Sequence, residues 1–115
     1  MYENELHIPK GTTCKIYVSI DENGEPYEPE TGDVVRFGVK LNPEDTNFAV
    51  SKTAEYDSET GQFVISLAPA DTAGMQMDER YWYDIGLQTA DGDYYMIVSA
   101  SYFYVTKAIT GAVTT

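Results

Sequence analysis

The sequence predicts an all-β fold, an antiparallel β-sandwich of about eight strands. Three observations carry that expectation. Apolar and polar residues alternate over short runs, the period of a half-buried strand. Turn residues interrupt those runs at roughly 8–12 residue intervals. Ten Tyr and many Thr favour a pleated, half-covered surface, and no window carries a long helical period.

Taken in order, Glu5–Ile8 reads as an edge-like first strand stopped by Pro9. In Thr13–Ile20, Cys14, Ile16, Val18 and Ile20 share one face. In Asp33–Leu41, Val35, Phe37, Val39 and Leu41 alternate with Arg36, Gly38 and Lys40. Phe48–Thr53 is short and mixed. Gly61–Leu67 turns Phe63, Ile65 and Leu67 one way. Pro69–Met77 has the composition of a single helical turn. Arg80–Thr89 sets Tyr81, Tyr83, Ile85 and Leu87 against Trp82, Asp84, Gly86 and Gln88. The loop Ala90-Asp91-Gly92-Asp93 then closes a hairpin onto Tyr94–Val98, because Asp-Gly tolerates the positive φ of a tight turn. Tyr94–Ser99 and Ser101–Lys107 form a pair, or one long strand with an irregularity near Ala100.

The length of 115 residues fits one domain, 1–115, with its core over about residues 5–110. Thr110–Thr115 reads as a loose end or an attachment. Seven Lys and Arg against 19 Asp and Glu give a net charge of −12. That excludes nucleic acid and an anionic membrane as partners, since both require a basic patch. No apolar run reaches the roughly 18–20 residues of a membrane span, and the acidic start Met1–Glu5 lacks the features of a signal peptide.

Reactive chemistry is hard to assemble from these residues. His7 is the only histidine and lies in a strand. Cys14, the only cysteine, lies on an apolar face, where a thiol behaves as a small hydrophobe. Neither a nucleophile elbow nor a phosphate-cradling glycine loop occurs. Acids cluster at Asp21–Glu30, Asp57–Glu59 and Asp91–Asp93, where solvated loops account for them. Asp21-Glu22-Asn23-Gly24 lacks the remaining ligands of a calcium loop. The chain is therefore expected to be no enzyme, with no catalytic, cofactor-binding or metal-ligating residue.

Aromatic residues are the most unusual feature: ten Tyr, four Phe and one Trp. Trp82, Tyr94, Tyr102 and Tyr104 face outward if Tyr81, Tyr83, Phe103 and Val105 face in. Tyr81 or Tyr83, near a strand start, fits the tyrosine corner of immunoglobulin-like sandwiches. Several segments carry a family resemblance in order. They are Ile8–Thr13, Gly32–Phe37, Gly61–Leu67, Ala70-Asp71-Thr72, Tyr81–Ile85, Ile97–Val105 and Ile109-Thr110. This order resembles small immunoglobulin-like β-sandwich proteins of phage and prophage structural modules. It is similar in outline to the N-terminal domain of phage baseplate upper proteins.

The resemblance implies a non-enzymatic virion structural or accessory protein, of baseplate or tail, located in the virion or the host cytoplasm. Its partners would be other phage structural proteins or further copies of itself, met through sheet edges or an aromatic face. Trp82, Tyr102, Tyr104 and Tyr17 are the expected contact residues. The alternative is a carbohydrate-binding or adhesion module using the exposed aromatic row, with a glycan as partner.

Overall fold

A computed structural model describes residues 5–77 and 79–107. Residues 1–4, 78 and 108–115, among them Ile109 and the end Thr110–Thr115, lie outside the described residues. The strands are β1 (Leu6–Pro9), β2 (Cys14–Val18), β3 (Asp21–Glu22), β4 (Glu25–Pro26), β5 (Val34–Lys40), β6 (Val50–Thr53), β7 (Glu55–Asp57), β8 (Gln62–Leu67), β9 (Arg80–Gln88) and β10 (Tyr94–Thr106). One short helix, α1 (Pro69–Ala73), lies between β8 and β9.

A five-stranded sheet has the order β1-β10-β9-β5-β6 and a three-stranded sheet the order β2-β8-β7. Both contribute to one core. Phe37, Val39, Ile85, Phe103 and Val105 come from the first, and Phe63, Ile65 and Leu67 from the second. The burial pattern of β9 alternates as its sequence dictates, with Tyr81, Tyr83, Ile85 and Leu87 inside. Two sheets that share one core and each expose their other face make a sandwich. The order β10-β9-β5-β6 corresponds to G-F-C-C′ of variable-type immunoglobulin domains, and β2-β8-β7 to B-E-D. The fold is an immunoglobulin-like β-sandwich.

Two hallmarks of antibody domains are replaced. The inter-sheet disulfide has no counterpart, since Cys14 on β2 is the only cysteine. On β5, the strand that carries the buried Trp in those domains, the wholly buried aromatic is Phe37. A third hallmark is kept. Tyr81 sits at the start of β9, and its hydroxyl accepts a hydrogen bond from the Gln76 N–H at 3.0 Å. The corner residue is therefore Tyr81.

The helix closes one end of the sandwich. Pro69 opens it, where a missing N–H costs nothing. The Asp71 carboxylate accepts from the Ala68 N–H at 2.6 Å and pairs with Lys52 of β6 at 3.0 Å. Thr72 is wholly buried, and its Oγ1 accepts from the Gly11 N–H at 2.8 Å, tying the helix to the β1–β2 turn.

Two details differ from the sequence expectation and one alternative is decided. The described residues form ten strands against about eight expected: the β3–β4 hairpin and β7 are added, and the last two expected segments join as β10. β3 and β4 are two residues each and wholly exposed, so no apolar alternation announces them. Asn23 and Gly24 at φ 55° and 83° make their turn, the signature of a primed hairpin. Pairing is also not antiparallel throughout, because β1 runs parallel to β10, His7 opposite Tyr104. Of the two readings of Tyr94–Lys107, the structure takes the single long strand, β10, whose register slips between Met96 and Val98 and between Val98 and Ser101, the irregularity expected near Ala100.

Candidate docking face

The outer face of the five-stranded sheet follows from strand parity. Register pairs His7 with Tyr104, Tyr104 with Arg80, Tyr102 with Trp82 and Trp82 with Lys40. Each pair lies on one side, because residues opposite each other in a sheet project the same way. The neighbouring strands keep their cores inside, so these residues face out.

Their rings form a continuous set. His7 stacks on Tyr104 at 4.9 Å between centroids and 19° between planes. Tyr104 meets Tyr102 at 6.1 Å, and Tyr102 meets Trp82 edge-on at 4.6 Å. The Arg80 guanidinium lies 4.3 Å over Tyr102 and 5.6 Å over Trp82. Each aromatic pair contributes about 0.5–1.5 kcal/mol beyond area burial, and an exposed cation–π contact about 0.5–1. The set therefore holds its own shape before any partner arrives. Arg36, Lys40 and Arg80, three of the seven Lys and Arg of a −12 chain, project from this face.

Beside the row, two glycines admit two more rings. A Cβ on Gly38 would stand 2.7 Å from Phe48, and one on Gly86 would stand 2.1 Å from the Tyr94 hydroxyl. Only glycine allows those rings to lie against the strands. Phe48, Trp82 and Tyr94 then wall a cavity of about 230 Å³, with Gly38, Lys40 and Asp84 also lining it. The Lys40 ammonium sits 4.6 Å above the Phe48 ring. Burial pushes the Asp84 carboxyl above its usual range, while the charge of Lys40 pulls it back.

Of the four expected contact residues, the structure brings Trp82, Tyr102 and Tyr104 together and leaves Tyr17 apart. Tyr17 is 55% exposed but lies on β2 of the other sheet, opposite Val64. Parity fixes which way a side chain points within its strand, and sheet membership decides which surface it joins.

His7 aside, the remaining chemistry-bearing side chains among the described residues lie apart from this face. Burial raises the Cys14 thiol, which disfavours the thiolate a nucleophile needs. The His7 Nε2 lies 3.3 Å from a Glu5 carboxylate oxygen, while its ring is engaged on Tyr104. Among the described residues no group of three or more His, Cys, Asp or Glu is placed to hold a metal ion. Two of the acidic loops do meet. Glu22, Glu25, Glu28 and Glu30 line one open recess with Asp91 and Asp93. No helix among the described residues is long and apolar enough to cross a membrane.

Sequence reasoning passed over Arg80, Phe48 and Asp84. The available signal was the pair of outward glycines on long strands, Gly38 and Gly86, gaps that a neighbouring ring must cover. Phe48 and Tyr94 come from segments whose positions only the fold supplies.

No protein family and no curated protein matches the chain. Among solved structures it is similar to murine CRIg, at 13% identity and a TM-score of 0.41, covering 95% of this chain and 96% of that one. A likeness that distant carries no argument; the fold assignment rests on strand order and the shared core.

Proposed function

We propose that this chain is a non-enzymatic association module, a structural or accessory protein of a phage or prophage particle, and that it docks through the outer face of its five-stranded sheet. One observation carries the docking surface: the set His7, Tyr104, Tyr102, Trp82 and Arg80. Tyr, Trp and Arg are the residues that dominate binding energy at protein interfaces. Here they are pre-packed, so little side-chain freedom is lost on docking. The phage assignment is supported by the order of sequence segments that resembles phage sandwich proteins.

Sheet edges are the weaker route. β1 ends in Pro9, β2 carries Lys15, β6 carries Lys52, and β7 is three residues with two acids. Proline, charge and brevity are the devices that keep edges from pairing. The charge distribution favours the same face. An acidic partner meets Arg36, Lys40 and Arg80 there and repulsion from the acidic recess elsewhere, which orients encounter.

Lysine cross-linking of particles induced from a host carrying the gene tests the reading, because Lys40 and Lys15 report on opposite sheets. The chain is expected in purified particles, with cross-links to a neighbouring particle protein through Lys40 and with Tyr102→Ala lowering its incorporation. Particles lacking the chain would refute the phage role. Cross-links through Lys15 alone would refute the docking face.

A further inference from the structure

We infer that the cavity walled by Phe48, Trp82 and Tyr94 is a saccharide subsite that takes one neutral pyranose ring. The inference does not rest on the docking reading: the cavity shares Trp82 and Lys40 with that face, while Phe48, Asp84 and Tyr94, which also line it, lie outside the set that carries docking. Four features of the cavity bear on its ligand. Its volume of about 230 Å³ accommodates one sugar residue and little more. Its walls are three aromatic rings from three segments: the loop before β6, β9 and the start of β10. Its polar lining includes one carboxylate and one ammonium, Asp84 and Lys40. Two of its rings, Phe48 and Tyr94, lie against strands where Gly38 and Gly86 carry no side chain.

These features choose among ligand classes. A cation is disfavoured, because the Lys40 ammonium already occupies the Phe48 ring face and repels a second positive charge. An anion is disfavoured by Asp84. A purely apolar ligand would take water from the Asp84 carboxylate and the Lys40 ammonium and return no hydrogen bond to either, which is costly. A pyranose has an apolar C–H face to lay on a ring and hydroxyls at its rim. Those hydroxyls donate to the Asp84 carboxylate and accept from the Lys40 ammonium. Each group thus keeps a polar partner while the rings take the apolar face. Phe48 is 53% exposed and Tyr94 58%, so both have apolar surface left to cover.

The test is titration of the purified chain with methyl glycosides of glucose, galactose and N-acetylglucosamine, read by Trp82 fluorescence and by amide and aromatic NMR shifts. A ligand of about a dozen non-hydrogen atoms in an open site binds at about millimolar Kd. At least one glycoside is expected to give a saturable shift confined to residues around Phe48, Asp84 and Tyr94. Phe48→Ala and Asp84→Asn are each expected to weaken it at least about tenfold, roughly the loss of one good contact. Both variants are checked for native folding by circular dichroism. Tyr104→Ala, whose ring meets Tyr102 and His7 and no residue of the cavity, is expected to leave it within about twofold, so failure here is separable from failure of the docking face. No saturable response to any of the three glycosides would overturn the inference. So would a response untouched by Phe48→Ala and Asp84→Asn. Saturable binding of tetramethylammonium in place of the sugars would overturn it in favour of a cation cage.

Discussion

At the scale of single residues, Tyr81 shows how much one hydroxyl can fix. Its ring is buried under the sandwich end, and its oxygen holds the Gln76 N–H five residues upstream. The bond pins the segment that follows α1, and so the point where β9 enters the sheet. Tyr81→Phe keeps the ring and removes the acceptor. The loss is expected to be about 1 kcal/mol, rising towards about 3 if the stranded N–H stays dry. Urea unfolding followed by Trp82 fluorescence checks this, with the m-value unchanged. Tyr17→Phe, on an exposed side chain, is the control and should stay within about 0.5 kcal/mol. Equal effects from the two would remove the corner as a structural device. The corner was legible in the sequence as Tyr81 or Tyr83, because both alternate inward from a strand start. Parity alone could not choose between them, since the deciding partner is a backbone group in a segment with no periodic pattern.

At the scale of elements, the long strands were legible and the short ones were not. β2, β5, β8, β9 and β10 carry enough alternating positions to declare both strand and inner face. β3, β4 and β7 have two or three residues each, and their hydrogen bonds depend on neighbours brought in by the chain elsewhere. The loop from Pro26 to Asp33 is held in the same non-local way. Tyr27 donates its hydroxyl to the Asp33 carboxylate, which also accepts from the Glu30 N–H at 2.9 Å and, across the fold, from the Ala90 N–H at 3.2 Å. Asp33 thereby joins this loop to the β9–β10 turn. The bond from Tyr27 comes first in holding the Asp33 carboxyl below its ordinary range, and the same bond comes first in pushing the Tyr27 hydroxyl up to about 12. The two shifts have opposite consequences with pH. A depressed carboxyl adds stability above its unfolded pKa of about 3.9, and loses it as pH falls through the lower folded value. A raised phenol adds stability below its unfolded pKa of about 10, and loses it as pH rises towards the folded value. The loop contact is thus expected to be fully present only between about pH 4 and about pH 10. Tyr27→Phe should lessen the alkaline fall in urea midpoint, leaving the share of Tyr83, which burial also pushes up to about 12, and lessen the acid fall, where Asp33 keeps its two backbone donors. An alkaline fall as steep in Tyr27→Phe as in the parent chain would assign it to other tyrosines.

At the scale of the whole molecule, the charge is not spread evenly, and the sequence could give only its total. The net −12 and the three acidic loops were plain. That the first and third loops face one another across a recess depends on the β3–β4 hairpin meeting the β9–β10 turn, a pairing that no local pattern encodes. Six or more carboxylates around one recess repel, while the opposite tendency, aromatic rings with Arg and Lys, occupies the outer sheet face. Repulsion between exposed charges is screened once the Debye length, about 10 Å at 0.1 M salt, shrinks below their separation. The folded state gathers these acids and the unfolded chain spreads them, so screening should favour folding. Tm is therefore expected to rise between about 10 mM and about 500 mM NaCl. Replacing Glu25 and Glu28 by Gln should raise Tm at low salt and shrink that rise. Sulfate must not be used, because it also strengthens apolar burial and would mimic the result. A Tm that falls with chloride would mean that ion pairs such as Lys52–Asp71 outweigh the crowded acids. The outer face should answer salt in the other direction. Its attraction for an acidic partner weakens as chloride rises, so stability of the chain and affinity of its docking face are predicted to move oppositely in one titration.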